Sequence, residues 1–267
     1  MCELGYNLKG IATVTRQKYL TASEKGPWAN SYDRWRNDNL TNRYQGVQFG
    51  YTSAGRYTSW NDIWNYYGFK ERDVLPGDYK YEDWNGDGEI NGQDEHPFAF
   101  DQTPWLQFSL NAGLQWKNFD FNMLLQGSAL GSMEYKEPLH EIWGKNGGGA
   151  LTQFLDRWHP VDPKADPYDP STVWTSGHYA YTGRWAKNNS AFNRVSTAYL
   201  RLKSIELGYT FPKLKQIPNA SLRVYANAYN LLTFTGVKFV DPEHPDDDLG
   251  RMYPLNKTYT LGVSLSF

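Results

Sequence analysis

The last twelve residues of the chain, 256–267, alternate between apolar and polar positions. One parity carries Tyr259, Leu261, Val263, Leu265 and Phe267; the other carries Thr258, Thr260, Gly262, Ser264 and Ser266. A period of two predicts a β-strand with one apolar and one polar face. The chain ends on an aromatic residue of the apolar face, which is unusual for a soluble sandwich because termini are normally frayed and hydrophilic. An ordinary amphipathic strand that happens to end in Phe remains an alternative.

Alternation of the same kind predicts five more strands, at 4–15, 105–116, 119–126, 194–211 and 222–231. Within 194–211 the apolar parity switches near Lys203 and Ser204, which predicts a β-bulge there. Strands of about eleven residues have the length that crosses a bilayer at a tilt, roughly twice that of a typical soluble strand.

The connections between these six strands are alternately long and short. The long ones are 16–104, 131–194 and 233–255, and the short ones are 117–118 and 212–219. In an up-and-down arrangement, every long loop then falls at one end of the sheet and every short turn at the other, as in outer-membrane barrels. The predicted fold is therefore all-β: the C-terminal part of an antiparallel, up-and-down transmembrane β-barrel, with about six long strands and long extracellular loops.

The composition of the chain excludes several classes of protein. The 267 residues have a mean hydropathy of −0.70, and no apolar run is long enough for a membrane helix, so a membrane could be crossed only by strands. A net charge of −2 gives no indication of nucleic-acid binding, and one cysteine, Cys2, excludes an internal disulfide and a thiolate metal site. We find no signal peptide, which an exported protein needs. The chain is therefore expected to be either cytoplasmic or the tail of something longer.

Residues 83–94 fit the pattern of a calcium-binding loop at positions 1, 3, 5, 6 and 12. Gly88 would permit the bend, and a structural Ca²⁺ would be held by Asp83, Asn85, Asp87, the backbone carbonyl of Glu89, and Asp94. Asp in place of Glu at the twelfth position predicts weak affinity. A turn stabilised by its own Asn and Asp side chains explains the same pattern equally well.

No catalytic motif stands out, so we expect no enzyme. The five histidines are scattered, and the acidic cluster of Asp241, Glu243 and 246–248 is typical of a solvated loop or of one that docks a partner. Aromatic residues make up 16% of the chain, which suits both interfacial girdles and sugar stacking. The tryptophans that could stack on sugar rings are Trp60, Trp64, Trp143, Trp174 and Trp185.

Several stretches resemble one family, the SusC/RagA-type TonB-dependent transporters of the Bacteroidota outer membrane. They are 76–83, 154–158, 199–203, 207–212, 230–235, 241–243 and 253–254, with the terminal Phe267. The last strand, with Tyr259, Leu261, Val263, Leu265 and Phe267, is also similar to the C-terminal signal that the barrel-assembly machinery reads in outer-membrane proteins.

The resemblance implies a 22-stranded barrel in the outer membrane of a Gram-negative bacterium, closed by an N-terminal plug. It also implies import of oligosaccharides or peptides, driven through TonB, with a SusD-like surface lipoprotein as the lid. Residues 1–267 would be the C-terminal barrel segment, without plug or TonB contact, and unable to transport alone. The alternative is a secreted carbohydrate-binding β-domain with a structural calcium loop. In that case the apolar face of 105–116 would meet a dry core instead of lipid.

Overall fold

A computed structural model describes most of the chain, in twelve segments. They are residues 4–23, 27–28, 30–31, 40–66, 74–136, 139–140, 142, 150–183, 186, 189–212, 220–244 and 250–267. The strands are β1 Leu4–Val14, β2 Val47–Gly50, β3 Ser53–Arg56, β4 Tyr79–Tyr81, β5 His96–Phe100, β6 Leu106–Trp116, β7 Phe119–Ala129, β8 Ser132–Glu134, β9 His159–Pro160, β10 Trp174–Thr175, β11 Arg194–Ser196, β12 Tyr199–Phe211, β13 Ser221–Thr235 and β14 Thr258–Ser266. The described residues also include an α-helix, α1 Trp60–Asn65, and 3₁₀ turns at Gly92–Asp94 and Thr152–Leu155.

Six long strands form one antiparallel sheet in the order β1-β6-β7-β12-β13-β14. Each strand pairs with the strand that follows it along this order, so the sheet is up-and-down, as the spacing of the connections predicted. β6 and β7 are joined by Lys117 and Asn118 alone, and Lys117 adopts the left-handed conformation that such a turn requires (φ 54°). The predicted all-β, antiparallel fold with six long strands is confirmed.

The register places the apolar parities of all six strands on one face, which we call the apolar face. Leu8 lies opposite Ala112, which lies opposite Met123, and Ile205 lies between Met123 and Ala228 across the sheet. No large apolar side chain of this face is buried by the described residues. On the edge strands exposure reaches 82% for Tyr6 and 83% for Leu261. Within the described part of the chain, therefore, no second layer of sheet covers the apolar face.

One detail of the predicted strands is confirmed and two others differ from the structure. The bulge is confirmed, because the register of β12 shifts between Leu202 and Ser204 against both neighbours. The prediction of one strand over 194–211 is wrong: β11 pairs with β8 in another sheet, and the chain turns before β12, where the amide of Thr197 donates to the carbonyl of Gly131 (3.0 Å). β13 extends beyond the predicted end, since Leu232 and Phe234 continue the ladder opposite Leu202 and Leu200.

The long connections carry the small sheets β2-β5, β3-β4, β8-β11 and β9-β10 and the buried core. Phe154 packs against Ile142 and Tyr179 in one cluster, and Tyr79 packs against Ala180 and Ala186 in another. As predicted, Ser59 caps a short helix: its Oγ accepts a hydrogen bond from the amide of Asp62 (3.2 Å). None of the helical segments described has the length and apolar character to pass through a bilayer.

Candidate functional site

The loop 83–94 is held by hydrogen bonds from its own backbone amides to its own side chains. One Asp83 oxygen, Oδ1, accepts from the amides of Gly86 (2.7 Å) and Asp87 (3.2 Å), and the other, Oδ2, accepts from Gly88 (2.8 Å). Gly86 and Gly88 have φ of 74° and 84°, which a residue with a Cβ adopts only with strain. These contacts follow from the sequence pattern, because short Asp and Asn side chains reach amides two to five residues onward.

The other three side chains among the proposed ligands also accept hydrogen bonds within the loop. Asn85 Oδ1 accepts from the amide of Asp87 (2.9 Å), and Asp87 Oδ1 accepts from Glu89 (2.8 Å). Asp94 is fully buried, and its two oxygens accept from Trp84 (3.0 Å) and Asn91 (2.8 Å). Among the described residues, no three His, Cys, Asp or Glu side chains form a group that could hold a metal. The geometry fits the self-stabilised turn that the sequence left open, and calcium binding stays a prediction.

A buried arginine joins the main sheet to the last long connection. The side chain of Arg201, on β12, is 1% exposed and contacts two carboxylates, Asp241 Oδ2 (2.5 Å) and Glu243 Oε2 (2.6 Å). Thr233 Oγ1 accepts from Arg201 Nε (3.1 Å), and the Tyr199 hydroxyl donates to Glu243 (2.9 Å). Asp241 and Glu243 of the acidic cluster are therefore ion-paired while their side chains keep 24% and 43% exposure. The interpretation as a solvated or partner-docking loop stays a prediction, and residues 246–248 lie outside the described residues.

A second ionic cluster lies on the opposite face from the apolar one, towards the end with the short turns. Arg223 on β13 contacts Asp120 on β7 (2.5 Å) and Glu206 on β12 (2.6 Å), and Asn227 Nδ2 donates to Glu206 (3.4 Å). Gly208 provides the space for it, since a Cβ there would lie 2.6 Å from the Arg223 and Asp120 side chains. The face that carries this cluster is polar, so the sheet separates an apolar side from a polar, charged side.

A concave space of about 680 Å³ lies on the same polar face, lined by other residues. Its lining is mostly amide and hydroxyl side chains, among them Gln107, Gln126, Thr197 and Tyr199, with Glu243 at one side. Tyr199 and Glu243, which belong to the cluster around Arg201, thus form part of its wall. This composition suits contact with a polar surface or with water better than contact with an apolar ligand.

Of the five tryptophans proposed to stack on sugars, the structure describes three, and these three do not all line one pocket. Trp60 and Trp174 line one pocket, and Trp158, which the sequence reasoning missed, also lines it. Trp64 is 65% exposed and lies outside that pocket. Trp143 and Trp185 lie outside the described residues. No local pattern marks Trp158, because it joins Trp60 only through the folding of two different connections.

The terminal residues occupy the outer edge of the sheet. Tyr259, Leu261, Val263 and Leu265 pair with Ala228, Ala226, Val224 and Leu222 of β13, and all belong to the apolar face. Phe267 is 95% exposed. The strand that precedes Phe267 is confirmed, whereas the role of these terminal residues as an assembly signal stays a prediction.

An up-and-down antiparallel sheet with one exposed apolar face and one charged polar face is the arrangement found in the walls of outer-membrane barrels. Solved structures share the fold. The structure of the RagAB peptide transporter matches with a TM-score of 0.53 at 20% identity, over 83% of this chain and 22% of that one. The RagAB peptide importer in its closed-closed state matches with a TM-score of 0.55 at 19% identity, over 98% of this chain and 27% of that one.

Curated relatives point to the same class through sequence. TonB-dependent receptor P3 of Formosa agariphila is 28% identical over 211 residues, which are 73% of this chain and 19% of the relative. TonB-dependent receptor SusC of Bacteroides thetaiotaomicron is 26% identical over 210 residues, 78% of this chain and 19% of the relative. No family model matches the chain. The resemblance to SusC/RagA-type TonB-dependent transporters is confirmed, and the chain spans about a fifth of the length of these relatives, as a fragment of such a protein would.

Proposed function

We propose that this chain is the C-terminal barrel segment of an outer-membrane protein that imports nutrients with energy from TonB, with oligosaccharides as the cargo. The observation that carries the proposal is the continuous apolar face of the six-stranded sheet. A soluble protein would have to bury so large a surface, since exposed apolar patches on monomers rarely exceed a few hundred Å². A lipid bilayer is the environment in which it needs no protein cover.

The dimensions of the apolar face support a membrane location. The ladder of β1 and β6 runs without interruption over 11 residue pairs, from Val14 and Leu106 to Leu4 and Trp116. At about 3.3 Å per residue this is roughly 36 Å of strand, which at a tilt of about 45° covers about 25 Å, the height of the apolar band of such barrels. Aromatic residues collect at the short-turn end, where Trp116 and Phe119 stack with centroids 6.3 Å apart.

The proposal extends to three partners of the whole protein. The long connections at one end would face outward and meet a SusD-like lipoprotein that covers the barrel. TonB would act through the plug of the whole protein, and the barrel-assembly machinery would recognise the strand that ends at Phe267. The outer edges of β1 and β14 pair with no other described strand, and in a bilayer we expect such edges to pair with further strands of a barrel.

A secreted carbohydrate-binding domain is the rival assignment, and no observation favours it, because it would need a second layer over the apolar face. The experiment that tests import measures uptake of a labelled oligosaccharide mixture by cells that carry the whole gene, by cells that lack this segment, and by cells without TonB. We expect uptake in the first alone. Outer-membrane vesicles that hold only residues 1–267 should show no coupled uptake. Uptake that persists without TonB, or in vesicles with the segment alone, would overturn the proposal.

A further inference from the structure

At the end of the sheet with the long connections, basic residues continue the row of the apolar face. Val14 is the last residue of β1 in the ladder with β6, and it is 63% exposed. Arg16 and Lys18 follow on the same parity, where the pattern of the strand would place apolar residues, and both side chains are exposed. Two positive charges therefore lie directly beyond the edge of the apolar face.

The position of Arg16 corresponds to the headgroup layer of a bilayer. The amide of Thr15 donates to the carbonyl of Trp105 (2.9 Å), so backbone pairing continues one step past Val14. Two residues beyond Val14 are about 7 Å of strand, which at a tilt of about 45° is roughly 5 Å of height. The headgroup layer on each side of the hydrocarbon core is about 5–8 Å thick. Arg16 therefore lies at the depth of lipid headgroups when the apolar face meets the hydrocarbon core.

Aromatic rings hold the basic residues in place. Arg16 Cζ lies 4.5 Å from the ring centroid of Trp105 and 5.7 Å from that of Tyr44, and the two ring centroids are 5.2 Å apart. Lys18 lies beside them, because its backbone forms an antiparallel bridge with Tyr44. The rings attract the guanidinium without neutralising its charge. Both positive groups are therefore positioned before any ligand arrives.

Neither basic side chain has an anionic partner among the described residues. Arg16 and Lys18 take part in no ion pair there, and the segments 14–20 and 102–108 contain no Asp or Glu. Asp101, which precedes the second segment, accepts a hydrogen bond from the amide of Thr103 (3.0 Å). Two uncompensated positive charges favour an anionic ligand, and a guanidinium suits phosphate because it can donate two parallel hydrogen bonds.

The adjoining apolar face indicates that the phosphate belongs to a lipid. A free phosphate ion would leave Val14 and the rest of the row exposed to water. A lipid would cover Val14 with an acyl chain while its phosphate meets Arg16 and Lys18. Basic and aromatic residues at the edge of an apolar band are typical of contact with lipid headgroups.

We propose that Arg16 and Lys18, supported by Trp105 and Tyr44, bind the phosphate groups of a lipid in the outward-facing leaflet of the membrane. The proposal rests on the membrane location in the proposed function, but not on TonB or on any cargo. The bound lipid would hold the start of the connection after β1 at the membrane surface.

The test measures lipid binding to the whole transporter, purified in detergent and stripped of lipid, by native mass spectrometry. The probes are lipid A with its phosphates and the same lipid A after phosphatase treatment, with inorganic phosphate as a competitor. We expect the phosphorylated lipid to bind more tightly and inorganic phosphate to compete poorly. Arg16→Gln and Lys18→Gln should each weaken binding of phosphorylated lipid A roughly fivefold, and the double variant roughly 25-fold.

Matched variants separate the charge from other effects. Lys9→Gln removes the same charge from β1 on the polar face, opposite Asn111, and should leave the affinity unchanged. Arg16→Lys and Lys18→Arg keep the charge and should keep most of the affinity. Binding of phosphatase-treated lipid A should be the same in all variants, which shows that the lipid face itself is intact.

The remaining outcomes also decide the matter. The proposal is overturned if both forms of lipid A bind equally, if the two glutamine variants keep the original affinity, if Lys9→Gln weakens binding as much, or if inorganic phosphate displaces the lipid. A spin label at position 110 that meets lipid, together with unaffected lipid A binding in the glutamine variants, would reject this site and leave the membrane location standing. A label shielded from lipid would overturn both.

Discussion

Leu110→Arg tests whether the apolar face meets lipid. Leu110 is the fifth of the 11 residues of β6 and lies between Gly10 and Leu125, so it is close to the middle of the apolar band. An arginine on the lipid face costs about 2–4 kcal/mol at the bilayer midplane and about 0–1 kcal/mol near the interfaces. The folding equilibrium should therefore fall by a factor of roughly 30 to 900.

The assay is unfolding of the whole transporter from liposomes by guanidinium, with the midpoint and slope fitted for each variant. Ser109→Arg is the matched control, because Ser109 lies at nearly the same depth on the opposite face, between Ile11 and Gln126. Leu4→Arg is the depth control, since Leu4 lies at the end of the ladder opposite Trp116. We expect a large loss of stability for Leu110→Arg and losses under about 1 kcal/mol for both controls.

Stability alone does not separate lipid from a dry protein core, so a second readout is needed. A spin label on Leu110→Cys, in a background with Cys2 replaced by Ser, should collide readily with oxygen dissolved in lipid and poorly with a water-soluble nickel complex. The label on Ser109→Cys should show the opposite preference. If the label at position 110 is shielded from both reagents, or if Ser109→Arg costs as much as Leu110→Arg, the apolar face is packed against protein and our reasoning is wrong.

Three other predictions concern the chain end, the buried arginine and the loop 83–94. Deletion of Phe267 should reduce the amount of folded barrel in the outer membrane without changing the rate of synthesis. The amount is measured from the heat-modifiable migration of membrane fractions on gels. Equal amounts for the full-length and shortened proteins would contradict the assembly role. Arg201→Met should lower the free energy of unfolding, measured with denaturant, by about 1–3 kcal/mol. This is less than the roughly 3–5 kcal/mol of a fully buried pair, because the Asp241 and Glu243 side chains are 24% and 43% exposed. Arg223→Met changes a partly exposed ion pair and should lower it by about 1 kcal/mol or less. Equal losses of unfolding free energy in the two variants would show that the burial of Arg201 contributes nothing to stability. If the loop binds calcium, titration with CaCl₂ should show a dissociation constant of roughly 0.1–1 mM that weakens in Asp87→Asn; identical heats in the variant would exclude the loop.

The strands of the main sheet could be predicted because their signal is local. In 106–116 the alternation of apolar and polar residues is a property of neighbouring positions, and the same alternation decides which side chains share a face. The bulge at 202–204 was predictable for the same reason, since an extra residue reverses the parity within a few positions. The pairing of β6 with β7 and of β12 with β13 followed from the connection lengths, because short turns force neighbours to pair.

The sequence pattern did not predict the break between β11 and β12, although it correctly predicted that both segments are strands. Arg194–Ser196 keeps a strand conformation but pairs with β8, and the amide of Thr197 donates to Gly131, more than sixty residues earlier in the chain. A hydrogen bond of this kind leaves no mark on the residues around Thr197. Only the folded chain shows which ladder such a segment joins.

The sequence by itself determined the strands, their apolar face and the turn-forming loop at 83–94, because each depends on residues within a few positions of one another. The tertiary structure alone decided that Arg201 meets Asp241, forty residues away, that Arg223 meets Asp120 across 103 residues, and that Trp158 joins Trp60 and Trp174. These contacts depend on where whole segments lie in space. Burial and hydrogen bonding then select the partners, and neither is encoded in any short stretch of the chain.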